Sequence, residues 1–100
     1  MAASGPRPGG RHMTRHMFRY VVPVDDRPHT IALSHNPVAV AAAGYTAVEF
    51  WAEHTKGAPQ IKRAFQVFGT GHPLPDDAQW IGTCPRTDGG FIWHLYEVPR

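Results

Sequence analysis

Seven histidines in a chain of 100 residues raise the question of a metal site. The best local cluster is His72 with Asp76 and Asp77, an imidazole and two carboxylates on one loop. Zn or Mn accepts such donors. No H-x-H or H-x-x-x-H framework accompanies them, and acidic residues are ordinary in turns. His12 and His16 are spaced i, i+4, but they lie in a Gly- and Pro-rich stretch with no reason to be helical. His29, His35 and His54 stand alone near turns and read as exposed turn residues. A metal-binding protein or small metal-dependent hydrolase built on His72, Asp76 and Asp77 is therefore an alternative, and no cofactor is expected.

Nucleophile arrangements are thin. Ser34-His35 lacks a G-x-S-x-G context. Cys84 could meet His94 across neighbouring strands, but a catalytic cysteine needs a lowered pKa and an orienting third group. At the end of an apolar strand, Cys84 reads as a small core residue. Gly69-Thr70-Gly71 is followed by neither a helix nor a Lys-Ser/Thr pair, so it is no phosphate cradle. The carboxylates at Glu49, Glu53, Asp76, Asp77, Asp88 and Glu97 show no spacing that pairs them across a cleft. No reaction is named by these patterns, and the reading leans away from an enzyme.

Single-stranded nucleic acid is a second alternative, because small β barrels can bind it with aromatics and a basic groove. Lys62, Arg63, Trp51, Trp80 and Trp93 supply the ingredients. The charge distribution argues against it. Net charge is +2, but residues 1–19 hold four arginines and no acid. Residues 20–100 hold six basic and eight acidic side chains, so the folding part is weakly acidic. The excess positive charge belongs to the start of the chain.

The elements that must position these residues are short and extended. Residues 1–17 carry no periodicity and read as a disordered basic tail, a mis-called start or a cloning remnant, with one β domain over 18–100. Phe18 to Val24 alternates with period two, and Pro23 marks an edge or an end. Asp25 to Pro28 is a turn, and His29 to Ser34 and Val38 to Ala43 are strands. Tyr45 to His54 is ambiguous. Thr46 to Glu49 matches a capping box with Gly57 as a C-cap, but three aromatics and a valine favour a strand. Residues 61–68 alternate, with Ile61, Phe65 and Val67 on one face and Arg63 as its exception. Gly69 to Asp77 is a loop shaped by two Gly and two Pro. Gln79 to Cys84 is a strand. Phe91 to Val98 is another, apolar on both faces and hence central.

Six or seven short strands without a convincing helix imply an all-β fold, a small antiparallel sandwich or partly open barrel. A 42% hydrophobic share can build a core, though a small one. A single cysteine forms no internal disulfide, which fits a reducing cytoplasm. No apolar run suggests a membrane span or secretory signal.

The stretches Phe68-Gly69-Thr70-Gly71-His72-Pro73-Leu74-Pro75, Trp80-Ile81-Gly82-Thr83 and Gly90 to Glu97 resemble a small family of uncharacterised β proteins from actinobacteria and their phages. The opening Phe18 to Val24 and the turn from Asp25 to Thr30 are similar too. The resemblance spans about 80 residues, with the GTGHPLP loop and WIGT strand as its most specific parts. It implies a stand-alone small β domain of bacterial or phage origin, without an activity to carry over, and it favours a strand at Tyr45 to His54. The long Arg/Pro/Gly start departs from the pattern.

The leading expectation is a non-enzymatic interaction or accessory domain. Its Gly69–Asp77 loop would bind an unknown protein or small ligand, since loops on a rigid sheet are where binding sits. His72 would be the polar contact, Asp76 and Asp77 the acidic rim, and Trp80 the apolar anchor. An exposed edge strand could also pair two copies into a homodimer.

Overall fold

A computed structural model of the chain describes residues 14–86 and 89–100. Seven strands form: β1 (Arg15–Pro23), β2 (His29–Leu33), β3 (Pro37–Ala43), β4 (Ala47–Thr55), β5 (Ile61–Gly69), β6 (Gln79–Thr83) and β7 (Trp93–Val98). They make a three-stranded sheet in the order β1-β4-β3 and a four-stranded sheet in the order β2-β5-β7-β6. Every pairing is antiparallel. The sheets are not closed into a barrel and face one another as a sandwich. No described helix is long and apolar enough to cross a membrane.

Period-two burial explains the shared core. In β4, Val48, Phe50 and Ala52 are fully buried and point at the second sheet. They meet Val22 from the first sheet, and Leu33, Phe65, Val67, Cys84 and Leu95 from the second. Phe50 is the hinge point of this packing. Its ring lies 5.1 Å from Tyr20 in its own sheet and 4.9 Å from Phe65 in the opposite one. The strand reading of Tyr45 to His54 is thus the observed one. The capping box goes unused because β1 and β3 flank β4 and satisfy its backbone.

Several sequence boundaries shift, and β7 begins at Trp93, not Phe91. β1 starts at Arg15, not Phe18, because Arg15, His16 and Met17 pair with Thr55, His54 and Glu53. Pairing with a long partner orders residues that have no periodicity of their own. Of the tail reading for residues 1–17, the part up to residue 13 lies outside the described residues. Ile61 is also 67% exposed, so the inner face of β5 begins later than its alternation implies.

Arg63, the exception on that face, has a definite place. Its Nε and Nη2 donate to the Glu97 carboxylate at 2.9 and 2.7 Å, and Nη1 donates to Asn36 Oδ1 at 2.8 Å. The fork closes the end of the core with a charged, hydrogen-bonded plug. Ser34 and His35 do similar work at the end of β4. Ser34 Oγ accepts the Thr55 N–H at 3.1 Å, and His35 Nε2 lies 2.7 Å from Thr55 Oγ1.

Asp25 organises the turn between β1 and β2. Its carboxylate accepts the Arg27 N–H at 3.2 Å and sits 2.8 Å from His29 Nε2. Asp26 adopts φ 61°, a left-handed conformation that aspartate tolerates. His29 is therefore half-buried and paired, not an exposed turn residue. The hydrogen bond with His29 is the main cause holding the Asp25 carboxyl below its ordinary 3.8, partly opposed by desolvation and reinforced by the Arg27 amide. A depressed carboxyl pKa gives stability that is complete above the unfolded value and lost as pH falls through the folded one. The stability gap between the wild type and Asp25→Asn should narrow as pH falls below 3.8. Urea titrations at stepped acidic pH would show this, and a gap that widens as pH falls below 3.8 would refute it.

Candidate functional site

The Gly69–Asp77 loop owes its length to topology. β5 and β6 both run antiparallel to β7, so they are parallel to each other with β7 between them. A parallel pair cannot be joined by a tight turn and needs a crossover. Gly69 pairs opposite Trp93, whereas Gln79 pairs opposite Glu97. The chain must travel back by four residues of β7, about 13 Å at ~3.3 Å per residue. It does so over the outer face of the sheet. Ala78 packs on Ala64, Phe68 and Val98, which are buried although they face away from the main core. Phe68 meets Tyr96 edge-on at 5.6 Å.

Two turns shape the crossover. The His72 N–H donates to Gly69 O at 3.1 Å, and Gly71 takes φ 89°, as a type II turn requires at its third position. The Ala78 N–H donates to Pro75 O at 3.1 Å, so Asp76 and Asp77 are the corner of a second turn. Pro73 and Leu74 link the two. Turn chemistry accounts for the two aspartates. Both are exposed, and among the described residues no three His, Cys, Asp or Glu side chains gather as a metal site would need. His72, Asp76 and Asp77 share a loop but not a coordination sphere.

His72 folds back on its own turn. Its Nδ1 accepts the Gly69 N–H at 3.2 Å. A Cβ at Gly69 would stand 3.0 Å from the His72 ring, so this glycine gives the imidazole its seat. With Nδ1 accepting, the neutral ring carries its hydrogen on Nε2.

Beside it runs a network that the sequence did not reveal. Trp80 Nε1 donates to Thr83 Oγ1 at 2.9 Å. Thr83 Oγ1 lies 2.9 Å from His94 Nδ1, and His94 Nε2 lies 2.8 Å from Thr70 Oγ1. A neutral His94 can run the chain either way, donating from Nε2 to Thr70 or from Nδ1 to Thr83, while Trp80 donates to Thr83 in both. The register alone could have found the network, since His94 pairs with Phe68 on one side and Thr83 on the other. Cys84 takes no part in it. It is buried, and desolvation, followed by the Glu49 charge, pushes its thiol up, away from nucleophilic use.

The Gly69–His72 turn separates two depressions. One, of about 170 Å³, is lined by Phe68, Leu74, His94 and Tyr96 as well as the turn. The other, of about 480 Å³, opens at the end of the sandwich between the turn and the β6–β7 connection. Arg86, Gly90, Phe91, Ile92 and Trp93 complete its wall. Its volume lies in the range of small-molecule sites. Arg86 Nη1 donates to Gly90 O at 3.1 Å, which holds the guanidinium at the rim. Phe91 and Trp93 stack at 5.5 Å with planes 13° apart. The Trp93 indole nitrogen is buried without a hydrogen-bond partner among the described residues.

Of the four residues expected to bind, only His72 lines these depressions. Asp76 and Asp77 sit at the far turn, and Trp80, 61% exposed, lies on the outer face of β6. Trp80 joins the site indirectly, through Thr83 and His94. Arg86, Phe91 and Trp93 were missed in this role because no local pattern announces a wall built by a hairpin connection. The nucleic-acid set also disperses. Arg63 is committed to Glu97 and Asn36, and Lys62 is on the outer face of one sheet. Trp51 is on the outer face of the other.

These features define a small two-sheet β-sandwich domain with a crossover loop and a cleft at one end. The chain belongs to the family described as a domain of unknown function (DUF7352), whose model matches residues 13–100. No curated protein and no solved structure matches it.

Proposed function

We propose that this is a non-enzymatic binding domain whose site is the cleft between the Gly69–His72 turn and the β6–β7 connection. The observation that carries the reading is the cleft itself, about 480 Å³, with the Arg86 guanidinium at its rim and the stacked Phe91 and Trp93 rings among its lining. Its volume and its mix of apolar and polar groups are those of a small-ligand site. The crossover contributes one face of the cleft and is itself anchored by packing and by the Thr70–His94 bond. Rigid placement of a loop is what binding requires. An enzyme is less well supported. Thr70 and His94 are within hydrogen-bond reach, but Thr83 in place of a carboxylate leaves the imidazole without a charged orienting group.

A small-fragment screen followed by amide NMR on the full chain tests the assignment. Fragments are expected to shift residues 69–72, 86 and 90–93 together. Shifts concentrated elsewhere, or no hits, would remove the cleft from consideration.

A further inference from the structure

We infer that the open edge of β1 pairs with β1 of a second copy of this chain, antiparallel about a two-fold axis, so that two three-stranded sheets become one. The edge strands differ in how they are guarded. β2 and β6 are five residues long, and register shifts break β3 between Pro37 and Ala39 and β6 between Trp80 and Gly82. Short or bulged edges resist pairing. β1 has neither guard: nine residues run in unbroken register with β4, and its one proline, Pro23, is the last of them. Its arginines are turned back over its own sheet and away from the edge. Arg15 bonds Glu53 at 3.0 Å and Arg19 bonds Glu49 at 2.7 Å, both partners on β4. Met17, Phe18 and Val21 remain as exposed apolar residues of the strand.

The phase of the β1–β4 ladder fixes which backbone groups are open. The Lys56 N–H donates to Thr14 O at 3.0 Å and the Val24 N–H to Thr46 O at 2.9 Å, one at each end of the ladder. Alternate residues of an antiparallel strand bond the same neighbour, so His16, Phe18, Tyr20 and Val22 bond β4. Arg15, Met17, Arg19 and Val21 aim their N–H and C=O groups at the open edge. Two copies therefore pair with these residues opposite one another. A register centred on Met17 sets Arg15 against Arg19, and one centred on Arg19 sets that arginine against itself. Like charges directly opposite are unfavourable. The register centred on Phe18 avoids both. It sets Arg15 opposite the partner's Val21 and Met17 opposite the partner's Arg19, and its four pairs exchange two bonds each, about eight in all. On the other face it joins Phe18 to the partner's Phe18 and His16 to the partner's Tyr20, aromatic pairs that stabilise a sheet. The two arginines and two glutamates of β1 and β4 cancel, so the copies meet without net repulsion along this strand pair.

Sedimentation equilibrium of the full chain tests the pairing. One strand pair is a small interface, so the mass is expected to rise from 11.1 kDa to twice that value across the micromolar to millimolar range. Val21→Lys, placed opposite the partner's Arg15, is expected to weaken association at least tenfold. It should leave the fold's melting temperature in place, since Val21 is exposed and faces Glu49 in its own sheet. Met17→Pro removes an outward N–H without touching the β4 ladder and should act in the same direction. Single cysteines read the register. Phe18→Cys is expected to form a disulfide dimer with oxidised glutathione, because facing residues of such a non-bonded pair lie about 4.5 Å apart at Cα, within disulfide reach. Met17→Cys and Arg19→Cys lie two residues out of step with their own copies and should cross-link at least fivefold less. The wild type, whose Cys84 is buried, is the control. A monomer mass at every concentration would overturn the inference. So would a dimer that Val21→Lys and Met17→Pro leave intact, or one that cross-links best at position 17 or 19.

Discussion

Phe50→Ala is expected to remove about 4 kcal/mol of unfolding free energy, the largest single loss of any substitution considered for this fold. Phe50 is fully buried, and its ring is the contact between sheets, flanked by Tyr20 and Phe65. Deleting it forfeits the transfer of an aromatic side chain and leaves a cavity that two hydrogen-bonded sheets cannot collapse to fill. Domains of this size hold a total of roughly 5–15 kcal/mol, so much of the protein's stability is at stake. Urea denaturation followed by tryptophan fluorescence would measure it. Should the variant fail to fold, Phe50→Leu keeps most of the volume and should cost less. A loss under about 1 kcal/mol for Phe50→Ala would mean that the sheets do not share a core at this point.

Gly82→Ala should cost about 2 kcal/mol, a large effect for adding one methyl group. A Cβ at position 82 would lie 2.6 Å from Val40 Cγ2 and 2.9 Å from Val40 Cβ, closer than real carbon contacts come. Gly82 is on β6 and Val40 on β3, so the glycine sets how near the two sheets approach at this edge. It also follows a bulge between Trp80 and Gly82 that aims the strand inward. The mechanism has its own signature. Val40→Ala alone should destabilise by leaving a gap. Combined with Gly82→Ala it should cost less than the two single effects together, since each change makes room for the other. Additive losses would show that the glycine acts through backbone freedom and not through close approach.

Much of the fold was legible because alternation is local and β sandwiches bury one face of each strand. The inner positions Val48, Phe50, Phe65, Val67 and Leu95 follow directly from period-two counting. So does the central place of β7, whose two apolar faces meet the main core on one side and the crossover on the other. Less was legible where a residue's role depends on a distant partner. Arg63 broke its pattern for a reason carried by Glu97 and Asn36. Gly82, read only as one residue of a strand, proved to be a contact between sheets. At the candidate site, the composition of the Gly69–Asp77 loop announced a shaped connection. It did not announce that the shape answers a crossover, or that the opposite wall would come from Arg86, Phe91 and Trp93. Those residues meet only through sheet order, which no single strand encodes.

The sheet order has a consequence for how the domain is made. β7 is the last strand in sequence and lies in the interior of its sheet, bonded to β5 and β6. During synthesis the three-stranded sheet can assemble from β1, β3 and β4 as soon as those residues emerge. The four-stranded sheet cannot, because β5 and β6 have no ladder to each other until β7 inserts between them. Nascent chains shorter than the full domain therefore display two incomplete edges and the apolar faces of Phe65 and Phe68, surfaces that invite aggregation and chaperone capture. Folding of this half is expected to be an event of the finished domain rather than of its growth.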